Sequence, residues 1–342
     1  MTYERVVVTR RGGPEVLRVV EEPLREPGPG EVRIRSLAAG VSFADIFMRE
    51  GFHPESIFRR PPFTPGWDVV GRVDATGAGV ETVGRGDVVA ALPIAGGYSQ
   101  VVYLPEAELF EVPEGVDPAA AVSLVLNYVT AYQMLHRSAD AKPKQAVLVH
   151  SAAGGVGTAL LELGRLIDLE MYGTASLAKH AAVRDLGAVP IDYKHADFVE
   201  VCRDLKPEGL DAVFDGIGGG HLFRSFRTLR QGGKLVGYGF GSTATDGRQS
   251  AAAIATTSLA WLGAFAYNLV PGYKRLKLYS IQMLKRRRPS WFREDLERLL
   301  ALLAEGRIHP VVAERFPLAE AARAHEVLAA GATTGKLVIT FD

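Results

Sequence analysis

The sequence predicts an α/β protein in two parts, an irregular β-barrel and a doubly wound parallel sheet. Three observations carry this. Residues 1–125 hold short alternating apolar and polar segments with Gly or Pro at nearly every junction, as in an irregular barrel. From Ala146 the rhythm changes to strand, helix, strand, which implies a parallel sheet covered on both faces. The change begins at Ala146–Leu160, AVLVHSAAGGVGTAL, where an apolar strand meets a glycine-rich turn and a helix starts at once.

In chain order, Glu4–Thr9 and Val16–Glu21 read as strands around Gly12-Gly13-Pro14, and Glu31–Ala38 follows the turn Pro27-Gly28-Pro29-Gly30. A helical turn is expected in residues 40–51, then strands over Gly66–Val73, Asp87–Leu92 and Tyr98–Tyr103. Pro118–Leu135 reads as one helix. Beyond it, strands fall at Ala146–His150, Glu170–Thr174, Val189–Ile191, Ala212–Phe214 and Lys234–Tyr238. Helices alternate with them at Val156–Ile167, Ala178–Leu186, Phe198–Leu205 and His221–Leu229, and Leu276–Ile281 offers a sixth strand. A helix (Phe292–Ala304), a strand (Val311–Phe316), a helix (Leu318–Ala329) and a strand (Lys336–Thr340) end the chain and are expected to return to the first domain.

Bulk properties narrow the function. A length of 342 residues suggests two domains. With 39 basic and 39 acidic residues there is no basic surplus to neutralise phosphates, so no nucleic-acid partner is expected. The single cysteine, Cys202, excludes an internal disulfide and points to a reducing, cytoplasmic setting. The opening MTYERVVVTRRGG has no apolar signal core.

The turn Ala152-Ala153-Gly154-Gly155-Val156-Gly157 is the dinucleotide fingerprint with Ala in its first glycine slot. Small residues let the backbone approach a pyrophosphate, Gly157 lets the helix pack close to the strand, and the helix N-terminus offers N–H groups to phosphate. An NAD site usually carries an acid at the end of the second strand. Here Thr174 is followed by Ala175 and Ser176, with Lys179 on the first helical turn. A hydroxyl and a cation without an acid suit a 2′-phosphate, so NADPH is the expected cofactor.

The stretches GVSFADIFMREG, PFTPGWDVVGRV, NYVTAYQML, VLVHSAAGGVG, FDGIGG, GGKLVGYG and TTGKLVI, in this order, span nearly the whole chain. By them the chain resembles the medium-chain dehydrogenase/reductase superfamily, and within it the zinc-free quinone oxidoreductase, zeta-crystallin-like branch. The resemblance implies a GroES-like catalytic domain (1–125 and 290–342), a Rossmann NADP-binding domain (126–289) with an apolar insertion at about 241–274, and a cleft between the domains. Alcohol dehydrogenases of this superfamily hold zinc through a Cys matching Ser42 and a His matching Trp67. Neither of these two positions carries a ligand here, and Asp45 and Asp68 alone make a poor zinc site, so no metal is expected. Hydride transfer to an electrophilic acceptor, a quinone or an α,β-unsaturated carbonyl, is the expected chemistry.

The same resemblance places Phe43, Thr130, Ala153, Gly154, Gly155, Val156, Gly157, Thr174, Gly216, Gly237, Tyr238, Gly239 and Lys336 on the cofactor, and matches Tyr193 to a tyrosine closing over the 2′-phosphate. Ser42, Asn127, Tyr128 and Thr130 are the candidate catalytic residues. Many relatives have Asn where Ser42 stands, and some enoyl reductases have a tyrosine further on, where this chain has Phe47 and Phe52. Tyr128 and His53 remain as candidate proton donors near the cleft, with water as the alternative. His53 and His180 otherwise read as surface residues.

The Ala-rich stretch 251–270 has about the length of a membrane span but is broken by Ser, Thr and Asn. It reads as a lid or dimer-packing segment, and Lys285-Arg286-Arg287-Arg288 as a solvated basic run. A homodimer joined through an edge strand within Gly237–Ile281 is implied by the resemblance. Two other functions compete: a cofactor-binding protein associated with membrane or RNA, as in parts of the wider family, and a 2-enoyl-thioester reductase.

Overall fold

The structure is a computed structural model that describes residues 1–239, 244–245, 248–249, 262–270 and 273–341. Two units divide the chain, one of Met1–Asn127 with Arg293–Asp342 and one of Tyr128–Phe292.

In the first unit the alternating segments become antiparallel β-structure. β1 (Thr2–Val8) pairs with β2 (Leu17–Pro23) as a hairpin. β3 (Glu31–Val41) leads through α1 (Phe43–Glu50) to β4 (Val69–Thr76), β5 (Val88–Ala91), β6 (Val101–Pro105) and β7 (Phe110–Glu111). β3 is long enough to take β6 along its first half and the tail strand Lys336–Thr340 along its second. Its opposite edge pairs with β4 through two register shifts, which bend the sheet. Val32, Ile34, Val69, Val73, Val89 and Val102 form a buried cluster on it. The strand expected from Gly66 begins only at Val69. Gly66 has φ +103°, and a Cβ there would lie 2.6 Å from the Tyr98 backbone nitrogen, so this glycine breaks the strand and allows a close crossing.

The helix expected over Pro118–Leu135 is wound in two registers. α2 (Pro118–Ser123) and α3 (Val129–Tyr132) alternate with wider π-type turns at Leu124–Tyr128 and Gln133–Ala139. Asp140, at φ +51°, ends the run.

In the second unit β8 (Ala146–Val149), α4 (Gly155–Leu166), β9 (Glu170–Ala175), α5 (His180–Asp185), β10 (Val189–Asp192), α6 (Phe198–Leu205), β11 (Leu210–Asp215), α7 (His221–Thr228) and β12 (Leu229–Gly237) follow in turn. Two-residue strands β13 (Ala244–Thr245) and β14 (Arg248–Gln249) pair with each other, and β15 (Arg275–Leu278) supplies the sixth parallel strand. The sheet order is β10-β9-β8-β11-β12-β15, which reverses direction beside β8, the place where such sheets bind ligands. Leu148, Tyr172, Val213, Leu235 and Leu276 from the strands meet Phe198, Leu222 and Phe226 from α6 and α7 in its core. On the outer edge of β15, the Asn268 carboxamide receives the Leu276 N–H at 2.8 Å and donates to the Leu276 carbonyl at 3.0 Å. The stretch read as a lid lies mostly outside the described residues, which include 262–270 of it. Among the described residues no helix is long and apolar enough to cross a membrane.

The tail forms α8 (Ile281–Arg287), α9 (Pro289–Ala304), β16 (Val312–Pro317), α10 (Ala321–Ala330) and β17 (Lys336–Thr340), with β16 parallel to β17 in the first unit.

Candidate functional site

The glycine turn is built by steric necessity. A Cβ on Gly157 would stand 2.3 Å from the Ser151 carbonyl oxygen and 2.6 Å from that of Ala152. Only glycine lets α4 start this close to β8. Ser151 takes φ +54°, unusual for a residue with a side chain, and its carbonyl accepts the Gly154 N–H at 2.9 Å. Gly154 is the N-cap of the twelve-residue α4 and brings no side chain to its first-turn N–H groups. Ala153 is buried, whereas Gly154, Gly155 and Val156 are partly exposed. The turn therefore offers backbone donors and the positive end of a helix dipole to an anion.

At the end of β9, Thr174 is buried and faces inward. Its Oγ1 lies 3.1 Å from His150 Nδ1 and accepts the Ser151 N–H at 3.3 Å, so it steadies the glycine turn. Ser176 and Lys179 are partly exposed just beyond, and Tyr193 is exposed after β10. Asp192 pairs with Ala175, which brings Ser176 and Tyr193 to neighbouring positions past the ends of adjacent strands. Burial lowers the Lys179 pKa. His180, expected at the surface, is buried with its Nε2 3.3 Å from the Ala175 carbonyl; its helix turns inward under the strand end.

A polar network that the sequence did not reveal joins β8, β11 and α7. Asp215, fully buried, accepts the Ile217 and Gly218 N–H groups at 2.8 and 3.0 Å. Its other oxygen takes the Ser225 hydroxyl at 2.8 Å and His221 Nδ1 at 2.9 Å. His150 Nε2 lies 3.1 Å from Ser225 Oγ. His150, Asp215 and His221 have ligand atoms within 4.8 Å of one another, but these atoms are engaged with each other and with Ser225 and Thr174. Burial outweighs the nearby carboxylate and keeps His150 neutral, its pKa pushed down to about 3. The network fixes the loop after β11. There Gly216 carries the Tyr238 ring, and a Cβ on Gly239 would meet the Gly216 oxygen at 2.1 Å. Gly237, Tyr238 and Gly239 thus end β12 backbone to backbone with the Asp215–Gly218 loop, and the Tyr238 N–H donates to the Asp215 carbonyl at 3.0 Å.

Ser42 caps α1 in the first unit. Its hydroxyl donates to Asp45 Oδ2 at 2.7 Å, and its N–H donates to the same oxygen at 3.0 Å. Asp45 Oδ1 accepts the Gly66 N–H at 2.8 Å. Phe43 is half-exposed on the first turn and its ring leans on Phe47. Lys336 is buried, with Nζ 2.9 Å from Asp68 Oδ2; among the described residues Asp68 Oδ1 has no hydrogen-bond partner. Gly40 makes room for this pair, since a Cβ there would meet Lys336 Cε at 2.3 Å and Asp68 Oδ1 at 2.4 Å.

These residues do not fit zinc. The Trp67 indole N–H donates to Met48 sulfur at 3.2 Å and has no lone pair to give. Asp45 is occupied by three donors, an ammonium already faces Asp68, and Cys202 is buried in the core of the other unit. Tetrahedral zinc sites are assembled from thiolate, imidazole and carboxylate in one cluster, and a single spare carboxylate oxygen does not make one.

The structure gives both expected proton donors fixed partners. Tyr128 is buried and its hydroxyl is hydrogen-bonded to Glu162 on α4. Burial and this carboxylate raise the phenol pKa, which makes the hydroxyl a weaker acid. Tyr128→Phe should leave catalysis within about threefold of wild type while costing stability by about 1 kcal/mol, the typical net worth of one hydrogen bond; steady-state kinetics and urea unfolding check the two halves. His53, otherwise read as a surface residue, is partly covered. Its ring stands edge-on to Trp67 at 5.0 Å and its Nδ1 accepts the Glu55 N–H. Burial lowers its pKa to about 4, which leaves it neutral at pH 7. Asn127 and Thr130 are buried, in the first π-type turn and in α3 respectively.

Comparison with known proteins agrees with this architecture. Residues 28–114 match the alcohol dehydrogenase GroES-like domain, and residues 186–339 the zinc-binding dehydrogenase family. The human synaptic vesicle membrane protein VAT-1 homolog is 32% identical over 340 residues, 98% of this chain and 85% of that protein. A 2-haloacrylate reductase from Burkholderia sp is 31% identical over 339 residues, 97% of each chain. The Escherichia coli quinone oxidoreductase complexed with NADPH superposes with TM-score 0.85 at 27% identity, covering 100% of both chains. The fold is that of a GroES-like domain joined to a Rossmann domain. The chain belongs to the medium-chain dehydrogenase/reductase superfamily, in its quinone oxidoreductase branch.

Proposed function

We propose that this protein is an NADPH-dependent, zinc-independent reductase of quinones or α,β-unsaturated carbonyl compounds. The observation that carries the reading is the end of β9, where no acid stands, where Ser176 and Lys179 follow the strand, and where Tyr193 follows the end of the neighbouring strand β10. A carboxylate there would repel a 2′-phosphate, and a cation and hydroxyl attract one. Gly154, Gly155, Val156 and Gly157 would hold the pyrophosphate, with Gly216 and Gly237–Gly239 lining its path. Bound NADPH supplies a hydride from its nicotinamide ring. Without a Lewis acid in the Ser42 region, an acceptor that is already electron-poor is favoured. The NADPH complex of the Escherichia coli relative and the reductase activity named for the Burkholderia relative support the same class.

The test is NADPH oxidation by metal-free protein with 1,4-benzoquinone, 9,10-phenanthrenequinone, an alkenal and a 2-enoyl thioester, with NADH in parallel. Turnover of a quinone or alkenal with NADPH preferred is the expected result. Tight NADPH binding without turnover of any acceptor would instead favour a non-catalytic cofactor-binding role. Ser176→Ala combined with Lys179→Ala should lower the NADPH-over-NADH preference by about tenfold or more, on the order of one to two charge-assisted hydrogen bonds. An unchanged ratio of the two kcat/KM values would remove these residues from the 2′-phosphate site.

A further inference from the structure

We propose that Asp45 acts behind Ser42 as a proton reservoir, recharging the hydroxyl that protonates the reduced acceptor. This rests on the reductase reading above and adds the source of the second proton-coupled half of the reaction.

The geometry is a two-member wire from the interior to the surface. Asp45 is wholly buried, Ser42 is partly exposed, and 2.7 Å separates Asp45 Oδ2 from Ser42 Oγ. A helix cap alone would need only an acceptor at this place. Here the carboxyl is sealed under Gly66 and α1. Among the described residues, the charged and titratable groups around it are few. Lys336 on β17 is bound to Asp68, beside the start of β4, one to one. Tyr98 pairs with His325 Nε2 at 3.2 Å, and Arg49, on the same helix as Asp45, turns to His325 Nδ1, Gly12 and Glu50. Among the described residues, a second carboxylate in this buried pocket would have no cation of its own. Burial therefore raises the Asp45 pKa, to about 7; Asp68 adds to the rise, while the Ser42 and Gly66 hydrogen bonds and Lys336 oppose it. Both protonation states are accessible at neutral pH, as a proton shuttle requires.

The step balances. Hydride delivery to an enone or quinone leaves an anion on the acceptor. The Ser42 Oγ–H bond breaks and its proton goes to that anion. The Asp45 O–H bond breaks and its proton re-forms the Ser42 hydroxyl. Asp45 is left as a carboxylate, which takes a proton from water through Ser42 after the product leaves. When Asp45 is protonated it donates to Ser42 Oγ, and the Ser42 hydrogen is free to point outward.

Asp45→Asn keeps an acceptor for the cap and removes the titration, and it carries two independent readouts. The first is stability against pH. The folded-state pKa is raised, so between about pH 4 and 7 the unfolded chain ionises Asp45 while the folded chain does not. This group therefore lowers wild-type stability as pH rises through that window. The urea midpoint of Asp45→Asn should lack that decline. The second is turnover with NADPH and the acceptor found above. Wild-type kcat should fall as pH rises past about 7. Asp45→Asn should lose that limb and at least about tenfold in kcat, with KM for the acceptor and NADPH affinity within twofold of wild type. Ser42→Ala should match it, and Ser42→Thr should restore kcat. An Asp45→Asn enzyme with wild-type kcat and pH profile overturns the relay and leaves the reductase standing. An unchanged stability profile overturns it as well. Wild-type protein that binds NADPH but reduces no acceptor overturns the reductase reading, and the relay with it.

Discussion

Replacing Gly157 by valine is expected to abolish useful cofactor binding, with NADPH affinity reduced by about 100-fold or more. The loss follows from the two backbone carbonyls 2.3 and 2.6 Å from where its Cβ would stand. Neither can swing aside as a side chain would. The start of α4 must then retreat from β8, although Leu160, Leu161 and Leu163 are packed to near-zero exposure along the same helix. Overpacking of this kind costs about 1–3 kcal/mol in stability, and the displaced first turn no longer aims its N–H groups at one point. A 100-fold change in affinity corresponds to about 2.8 kcal/mol, comparable to the distortion. Gly154→Ala is the control. Its nearest neighbour would be the Ser151 oxygen at 3.2 Å, and its φ of −78° suits any residue. Fluorescence titration with NADPH should separate the two variants clearly. Equal affinities would show that close packing of α4 does not shape the site.

Removing the ammonium of Lys336 should destabilise the first unit by about 3–5 kcal/mol, the usual cost of leaving a buried charge alone. Lys336→Met keeps most of the stem volume and deletes the charge. Among the described residues, Asp68 would then lose its only hydrogen-bonded cation, on a side chain whose other oxygen has no partner there. Lys336→Met combined with Asp68→Leu should recover most of the loss, because an apolar pair carries no desolvation debt. Urea unfolding of the two variants at one pH provides the comparison. If the single variant unfolds at the wild-type midpoint, the pair contributes nothing that burial would demand. The family resemblance implies a cofactor contact for Lys336; in the structure its Nζ is held by Asp68, so any cofactor effect of Lys336→Met is expected to accompany loss of stability.

What could be read from the sequence was what depends on near neighbours. The glycine turn, the alternation of strand and helix, and the sixth strand are short-range patterns, and they stand where their spacing put them apart from shifts at the ends. Gly66 shows why ends move: its positive-φ backbone makes β4 start three residues late, and nothing in a strand-like run announces that. The candidate site was legible as residue types and illegible as pairs. Lys336 and Asp68 are 268 positions apart, and Tyr128 meets Glu162 only because α3 packs on α4. Each of these polar groups has an ordinary surface reading until its partner is known. Asp45 was visible as a carboxylate near Ser42, but its complete burial is a property of the fold around it.

Asn268 has a consequence for how molecules of this kind meet. An open sheet edge is a template on which another chain can continue the ladder, and proteins blunt such edges to stay apart. Here one carboxamide presents to Leu276 the donor and acceptor that an incoming strand would bring. A second copy extending the sheet through β15 must first peel this amide away. Self-recognition at that edge is thereby made conditional on a local rearrangement, and indiscriminate strand addition in a crowded solution meets an edge already paired at Leu276.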